Sequence, residues 1–221
     1  MQAKPVTIAV AGGESVSALW LEPPKPRACL VLAHGAGAGM AHKAMAAIAE
    51  GLAERAIATL RFQFPYMERG SKRPDPPRIA HAAVRAAVSD AEKRAGKRPL
   101  FAGGKSFGGR MTSQAQALAP LASVRGLVFF GFPLHPAGAP STERAAHLKD
   151  IAIPMLFLQG ARDALADVTL LRPAVASLGK RATLKLLEGA DHSFHVPRQS
   201  GRTDSATLCE LLDFAAAWML G

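Results

Sequence analysis

Apolar runs that do not alternate with polar residues constrain the fold of this chain more than any other feature. Leu30-Val31-Leu32 and Leu127-Val128-Phe129-Phe130 are of this kind, and such runs are typical of central strands that are buried on both faces. Segments with apolar residues at helical spacing lie between the runs, as in Met45, Ile48 and Leu52. Strands that alternate with helices indicate a mostly parallel sheet covered by helices on both faces. We therefore predict an α/β fold.

Eight strands are expected in total. They are Val6 to Val10, Val16 to Leu21, Cys29 to Ala33, Thr59 to Phe64, Leu100 to Ala102, Gly126 to Phe130, Met155 to Leu158 and Thr183 to Leu187. Asp75 is expected to cap the helix that starts at Pro76 and Pro77. No long linker, repeat or low-complexity segment divides the chain, which predicts one domain over residues 1–221.

Composition narrows the class of protein. The chain has 27 Lys and Arg against 17 Asp and Glu, a net charge of +10, but only 6% of its residues are aromatic and it contains no zinc-finger or RNP pattern. The charge alone therefore does not indicate nucleic-acid binding. No apolar run reaches the roughly 18 residues of a membrane-spanning helix. The two cysteines, Cys29 and Cys209, are interpreted as reduced, buried thiols of a soluble cytoplasmic protein.

One segment carries a chemical motif. A strand leads into Gly104-Lys105-Ser106-Phe107-Gly108, a Gly-x-Ser-x-Gly sequence, and a segment compatible with a helix follows. A serine on such a sharp turn adopts a strained backbone, and glycines are needed where a side chain would collide with neighbouring backbone. Ser106 is the candidate nucleophile.

A serine hydroxyl needs an imidazole to accept its proton and a carboxylate to orient that imidazole. Asp163 and His192 each follow a predicted strand and a glycine. The carboxyl ends of parallel strands lie along one edge of a sheet, so we expect both side chains to meet Ser106 there. Asp167 and Asp191 are weaker alternatives for the acid, and His195 is the alternative for the base.

A tetrahedral intermediate also needs backbone amides that stabilise its oxyanion. The glycine-rich segment after the third strand, His34 to Gly39, is expected to supply one of them. The amide of Phe107, the residue after the nucleophile, would act together with that of Ala36 or Gly35, and the sequence does not decide between these two. Known nucleotide-binding glycine patterns do not fit, because Pro99 and Met40 occupy positions that require glycine.

These motifs together resemble the α/β-hydrolase superfamily over nearly the whole chain. His34-Gly35-Ala36-Gly37 and the segment Arg61 to Tyr66 are similar to the small dienelactone-hydrolase-like branch, which includes the testis-expressed and chromatin-complex hydrolase-like proteins. The resemblance implies a single-domain, eight-stranded, mostly parallel sheet with an antiparallel second strand. Only residues 133–153 separate Phe132 from Pro154, so no large lid is expected.

The resulting hypothesis is a serine hydrolase that cleaves a small or polymer-attached carboxylic ester or thioester and needs no metal or organic cofactor. The dienelactone relatives use a cysteine nucleophile, so their substrate does not transfer. The alternative is a catalytically silent scaffold that binds a protein partner, and the oligomeric state is open. Residues expected at the rim of the substrate site are His34, Tyr66, Lys105 and Arg73. Arg73 belongs to a basic loop with Arg69, Lys72 and Arg78 that would favour anionic substrates.

Overall fold

All eight predicted strands form, with small shifts at their ends. The computed structural model describes all 221 residues. The strands are β1 (Lys4–Ala9), β2 (Ser15–Leu21), β3 (Ala28–Ala33), β4 (Ile57–Phe62), β5 (Leu100–Lys105), β6 (Val124–Phe130), β7 (Met155–Gly160) and β8 (Ala182–Leu187). The helices are α1 (Lys43–Glu54), α2 (Pro65–Glu68), α3 (Pro77–Ala95), α4 (Phe107–Leu118), α5 (Val168–Ala176) and α6 (Asp204–Leu220).

The strands form one sheet in the order β1-β2-β4-β3-β5-β6-β7-β8. Strand β2 runs antiparallel to both of its neighbours, whereas the remaining adjacent pairs are parallel. The expectation of a mostly parallel sheet with an antiparallel second strand is therefore confirmed. Because β5, β7 and β8 point in the same direction, the loops that follow them lie at the same edge of the sheet.

The central strands are buried on both faces, which explains their uninterrupted apolar sequences. In β3, Val31 packs in the core cluster that includes residues of α3, α4 and α5, whereas Leu30 and Leu32 pack in the cluster that includes residues of α1 and α6. Successive side chains of a strand point to opposite faces. Each face of the sheet is thus covered by its own group of helices.

The start of α3 differs from the prediction. Asp75 does not cap this helix, since its N-cap is Pro76 and no side chain caps it. The Asp75 carboxylate instead accepts a hydrogen bond of 2.7 Å from the backbone N–H of Tyr66 and pairs with Arg69. The acidic side chain therefore joins the start of α2 to the loop before α3.

The connection between β6 and β7 contains no lid domain. Its only regular structure is a stretch of 3-10 helix, Glu143–Asp150, so the expectation of a lid-less fold is confirmed. None of the helices combines the length and the apolar content that crossing a bilayer requires. Both cysteines are free thiols, and Cys29 is buried as expected, but Cys209 is exposed.

Candidate active site

Ser106 lies on a sharp turn between β5 and α4. Its backbone has φ of 50° and ψ of −118°, a conformation that is strained for any residue other than glycine. The turn is packed tightly against the end of β3, because a Cβ atom at Gly108 would lie 2.5 Å from the carbonyl oxygens of Ala33 and His34. A Cβ at Gly104 would likewise collide with the Ala33 carbonyl. The two glycines of the motif are therefore required by the close approach of backbone to backbone.

Asp163 and His192 form a hydrogen-bonded pair. His192 Nδ1 lies 2.6 Å from Asp163 Oδ2, and the Asp163 side chain is fully buried. The carboxylate also accepts hydrogen bonds from the backbone N–H of Leu165, at 2.7 Å, and from the Gln159 side chain. A carboxylate in this position keeps the imidazole proton on Nδ1 and leaves the lone pair of Nε2 available as a base.

The alternative acids and base make other contacts. Asp167 caps α5 by accepting the Thr169 N–H at 2.8 Å. Asp191 closes its own loop by accepting the N–H groups of Ser193 and His195. The His195 imidazole lies 2.9 Å from Asp204 Oδ2, and the side chains of this pair are each 60% exposed. Only Asp163 and His192 are paired beside Ser106.

Ser106 and His192 line the same cavity, which has a volume of about 360 Å³. The wall is mostly small or apolar, with Ala36, Met45 and Leu165 among its residues. The Ser106 hydroxyl makes no hydrogen bond to the protein in this structure, and neither does His192 Nε2. Such contacts are often long in a site without substrate and shorten when substrate binds.

The glycine-rich loop after β3 lies beside Ser106. A Cβ atom at Gly35 would be 3.7 Å from Ser106 Cβ. The backbone N–H groups of Gly35, Ala36 and Phe107 donate to no protein acceptor, so three donors are available near the hydroxyl. The choice between Gly35 and Ala36 therefore stays open.

Two of the four predicted rim residues are not at the rim, because they are fully buried. His34 uses both ring nitrogens inside the protein: Nδ1 donates to the Gly35 carbonyl at 2.8 Å, and Nε2 accepts the Phe64 N–H at 3.0 Å. Tyr66 packs against the rings of His34 and Phe107. These residues support the glycine-rich loop from below, so the prediction of rim positions for them is wrong.

The basic loop does not line the cavity either. Arg73 lies in a separate depression with Ser71 and Asp75, and Arg69 pairs with Glu14 and Asp75. The predicted contribution of this loop to an anionic substrate site therefore lacks structural support. Of the predicted rim residues, only Lys105 lines the cavity.

Lys105 is a partly buried cation. Its Nζ donates a hydrogen bond to the carbonyl oxygen of His192 and lies 5.1 Å from the centroid of the Phe194 ring. Burial lowers the pKa of Lys105 to about 8, against the opposing influence of the Asp163 and Asp191 carboxylates. Burial also lowers the pKa of His34.

Three contributors to the site were not anticipated from the sequence. Gln159 bonds Asp163 and accepts the Phe132 N–H at 2.8 Å. His42 caps α1 and lines the cavity, and Gly131 faces the His192 ring. Gln159 lies near the end of the apolar strand β7, Gly131 directly follows β6, and no local pattern marks either. No group of three or more metal-ligating side chains converges in the chain.

Comparisons with known proteins agree with this architecture. The family model described as an alpha/beta hydrolase domain matches residues 26–220. No curated protein matches the sequence significantly. Among solved structures, an alpha-beta serine hydrolase homologue from Coxiella burnetii is 19% identical with a TM-score of 0.77, and the alignment covers 98% of this chain and 97% of that one.

Two further solved structures are similar over nearly their whole length. A serine hydrolase without lid from Xanthomonas campestris is 19% identical with a TM-score of 0.76, covering 100% of this chain and 97% of its own. Dienelactone hydrolase from Anabaena variabilis is 19% identical with a TM-score of 0.78, covering 98% and 96%. At this identity the likeness supports the fold, whereas the family match spans most of the sequence. The chain therefore belongs to the α/β-hydrolase family and has the lid-less form of its fold.

Proposed function

We propose that this protein is a serine hydrolase that cleaves a carboxylic ester or thioester through an acyl-enzyme. The observation that carries the proposal is the hydrogen bond between His192 and the buried Asp163, in a cavity that Ser106 shares. A buried carboxylate behind an imidazole, beside a serine on a strained turn, is the arrangement that activates a hydroxyl.

Acylation follows from this geometry. As Ser106 Oγ attacks the carbonyl carbon of the substrate, its proton passes to His192 Nε2, and Asp163 stabilises the resulting imidazolium. The oxyanion is placed against the N–H of Phe107 and that of Ala36 or Gly35. Losing one such donor costs on the order of 10²- to 10³-fold in rate. When the tetrahedral intermediate collapses, the Nε2 proton passes to the leaving alkoxide or thiolate.

Deacylation repeats these steps with water. His192 Nε2 accepts a proton from the water that attacks the acyl carbon of the ester on Ser106. That proton then returns to Ser106 Oγ as the acid product leaves. The open cavity and the absence of a lid suit small or polymer-attached esters better than long-chain lipids.

A fluorophosphonate probe tests the proposal, because it reacts covalently with an activated serine. We expect labelling of the wild type and its loss in Ser106→Ala. Ser193→Ala is the matched control, since Ser193 lines the same cavity and its hydroxyl makes no hydrogen bond in the structure. This control should label like the wild type. Hydrolysis of p-nitrophenyl esters and acyl thioesters should fall on the order of 10⁶-fold in Ser106→Ala.

A folded wild type that neither reacts with the probe nor hydrolyses any ester or thioester in the panel would contradict the proposal. That result would instead favour the scaffold that binds a partner without turnover. Comparing the two substrate series at equal acyl length would distinguish an esterase from a thioesterase.

A further inference from the structure

The residue before the nucleophile connects the two halves of the candidate site. Lys105 is the last residue of β5, and Ser106 follows it directly. The Lys105 side chain crosses to the loop after β8, where Nζ donates to the backbone carbonyl of His192 itself. One side chain therefore joins the turn of the nucleophile to the residue proposed as base.

The far side of this contact is a constrained loop. Asp191 Oδ1 accepts the N–H groups of Ser193 and His195, and the Asp191 N–H donates to the His195 carbonyl at 2.9 Å. Phe194 has a positive φ of 65° and presents its ring to the Lys105 ammonium. A cation over an aromatic face is attracted by the ring. The loop thus offers Lys105 both a carbonyl acceptor and an aromatic surface.

Lys105 has no carboxylate partner that would account for its charge. It forms no ion pair, and the two carboxylates that act on it over longer distances, Asp163 and Asp191, are bonded to other groups. A partly buried cation without an ion pair loses hydration that no carboxylate replaces. No ion pair therefore accounts for an ammonium group at this position.

Space for the contact is provided by Gly131 at the end of β6. This residue has φ of 71°, and a Cβ atom there would lie 3.0 Å from Lys105 Nζ and 3.4 Å from Cε1 and Nδ1 of His192. The ammonium and the imidazole therefore approach the same small volume. A larger residue at 131 would press on both groups.

We infer that Lys105 is a positioning residue for the proposed hydrolysis: by holding the His192 carbonyl, its ammonium fixes the imidazole in the orientation that serves Ser106. The inference rests on the proposed function. It also predicts an alkaline limit to activity, because the lowered pKa of about 8 removes the charge from Nζ above that pH. The other titratable groups that face this region are Asp163, Asp191, His192, and His42 and Asp204 on the walls of the cavities that Lys105 lines.

The test replaces the ammonium and then restores it. Lys105→Met removes the donor, and Lys105→Cys treated with 2-bromoethylamine rebuilds an amine on a thioether chain of the same length. The cysteine variant is made with Cys209→Ser, because Cys209 is the exposed thiol, whereas Cys29 is buried and burial raises its pKa to about 11. The control is Lys185→Met, which removes a lysine that lies 5.5 Å from the Phe214 ring, outside the Ser106 cavity.

We expect Lys105→Met and the untreated cysteine variant to react with the fluorophosphonate roughly 10- to 100-fold more slowly than the wild type, the range for losing a hydrogen bond to a charged group. For ester hydrolysis, kcat should fall while KM is unchanged. The thermal midpoint should stay within a few degrees or rise, since a partly desolvated charge without an ion pair has been removed. Lys185→Met should react at the wild-type rate.

Aminoethylation of the cysteine variant should raise its rate of reaction with the fluorophosphonate at least tenfold above that of the untreated variant. Its alkaline limit should lie at lower pH than in the wild type, because the thioether sulfur lowers the pKa of the amine. If the side chain acted only by packing, the alkaline limit would be the same in the wild type and in the aminoethylated variant. Unchanged reactivity of Lys105→Met, or failure of aminoethylation to restore a folded variant, would overturn the inference and leave the proposed function standing. A wild type that the probe does not label would overturn both.

Discussion

Replacing Asp163 by asparagine changes one atom, and the surrounding hydrogen bonds determine its effect. Asp163 Oδ1 accepts the Leu165 N–H, whereas Oδ2 accepts from both His192 Nδ1 and the Gln159 amide. If the oxygen of the new asparagine side chain keeps the hydrogen bond from the Leu165 N–H, the NH₂ group of that side chain must face His192 Nδ1. That nitrogen then becomes an acceptor, and the imidazole proton moves to Nε2.

An imidazole that is protonated on Nε2 cannot accept the Ser106 proton. We therefore expect kcat in Asp163→Asn to fall about 10⁴-fold, which corresponds to about 5 kcal/mol of transition-state stabilisation. The new NH₂ group would also face the NH₂ group of Gln159, which now donates to Asp163 Oδ2. Gln159 cannot rotate its amide to avoid this clash of donors, because its Oε1 accepts the Phe132 N–H. The unmatched donors should also lower the free energy of unfolding by about 1–3 kcal/mol.

The assay is ester hydrolysis under saturating substrate, with urea unfolding on the same preparations. Asp167→Asn is the matched control, because Asp167 caps α5 and asparagine is an equally good N-cap. Its kcat and stability should both match the wild type. A folded Asp163→Asn variant that keeps more than a hundredth of the wild-type kcat would refute the assignment of Asp163 as the residue that orients His192.

Two further predictions concern stability. Gly108→Ala places a Cβ atom 2.5 Å from the carbonyl oxygens of Ala33 and His34. It should therefore lower the free energy of unfolding by on the order of 1–3 kcal/mol or more and abolish probe labelling. A urea midpoint equal to that of the wild type would contradict this. His147 is bonded to Ser113 at 2.7 Å, and burial lowers its pKa to about 4. The unfolded chain therefore binds a proton that the folded protein does not, and the contribution of His147 to stability is complete above about pH 6.5 and is lost as the pH falls from there towards 4. Urea midpoints measured between pH 7 and pH 4.5 should fall less in His147→Gln than in the wild type, and parallel curves would exclude this role.

The strands and the paired residues could be predicted because their signals are local. Uninterrupted apolar runs indicate the central strands, and polar residues directly after a strand end must lie at the carboxyl edge of the sheet. That rule places Asp163 and His192 at one edge without knowledge of any contact. Their pairing in the structure follows from the adjacency of β7 and β8.

The errors concern side chains whose direction is set by distant parts of the chain. His34 follows β3 and Tyr66 lies in the short helix α2, and both are buried beneath the glycine-rich loop. Cys209 lies on α6 and is exposed rather than buried. The partners of Gln159 are supplied by the loops after β6 and β7. Cys209 falls off the stripe of buried residues in α6, whereas the other arrangements leave no periodic or compositional trace in the sequence.

The order of the proposed groups along the chain has a consequence for biosynthesis. Ser106 follows the fifth strand, whereas His192 follows the eighth, at the far side of the sheet. Domains generally fold as units as their chain leaves the ribosome. A nascent chain that still lacks β8 and His192 has neither the complete sheet nor the base, so it should stay chemically silent until β8 docks beside β7. The timing of reactivity towards the probe during translation would thus report the completion of the sheet.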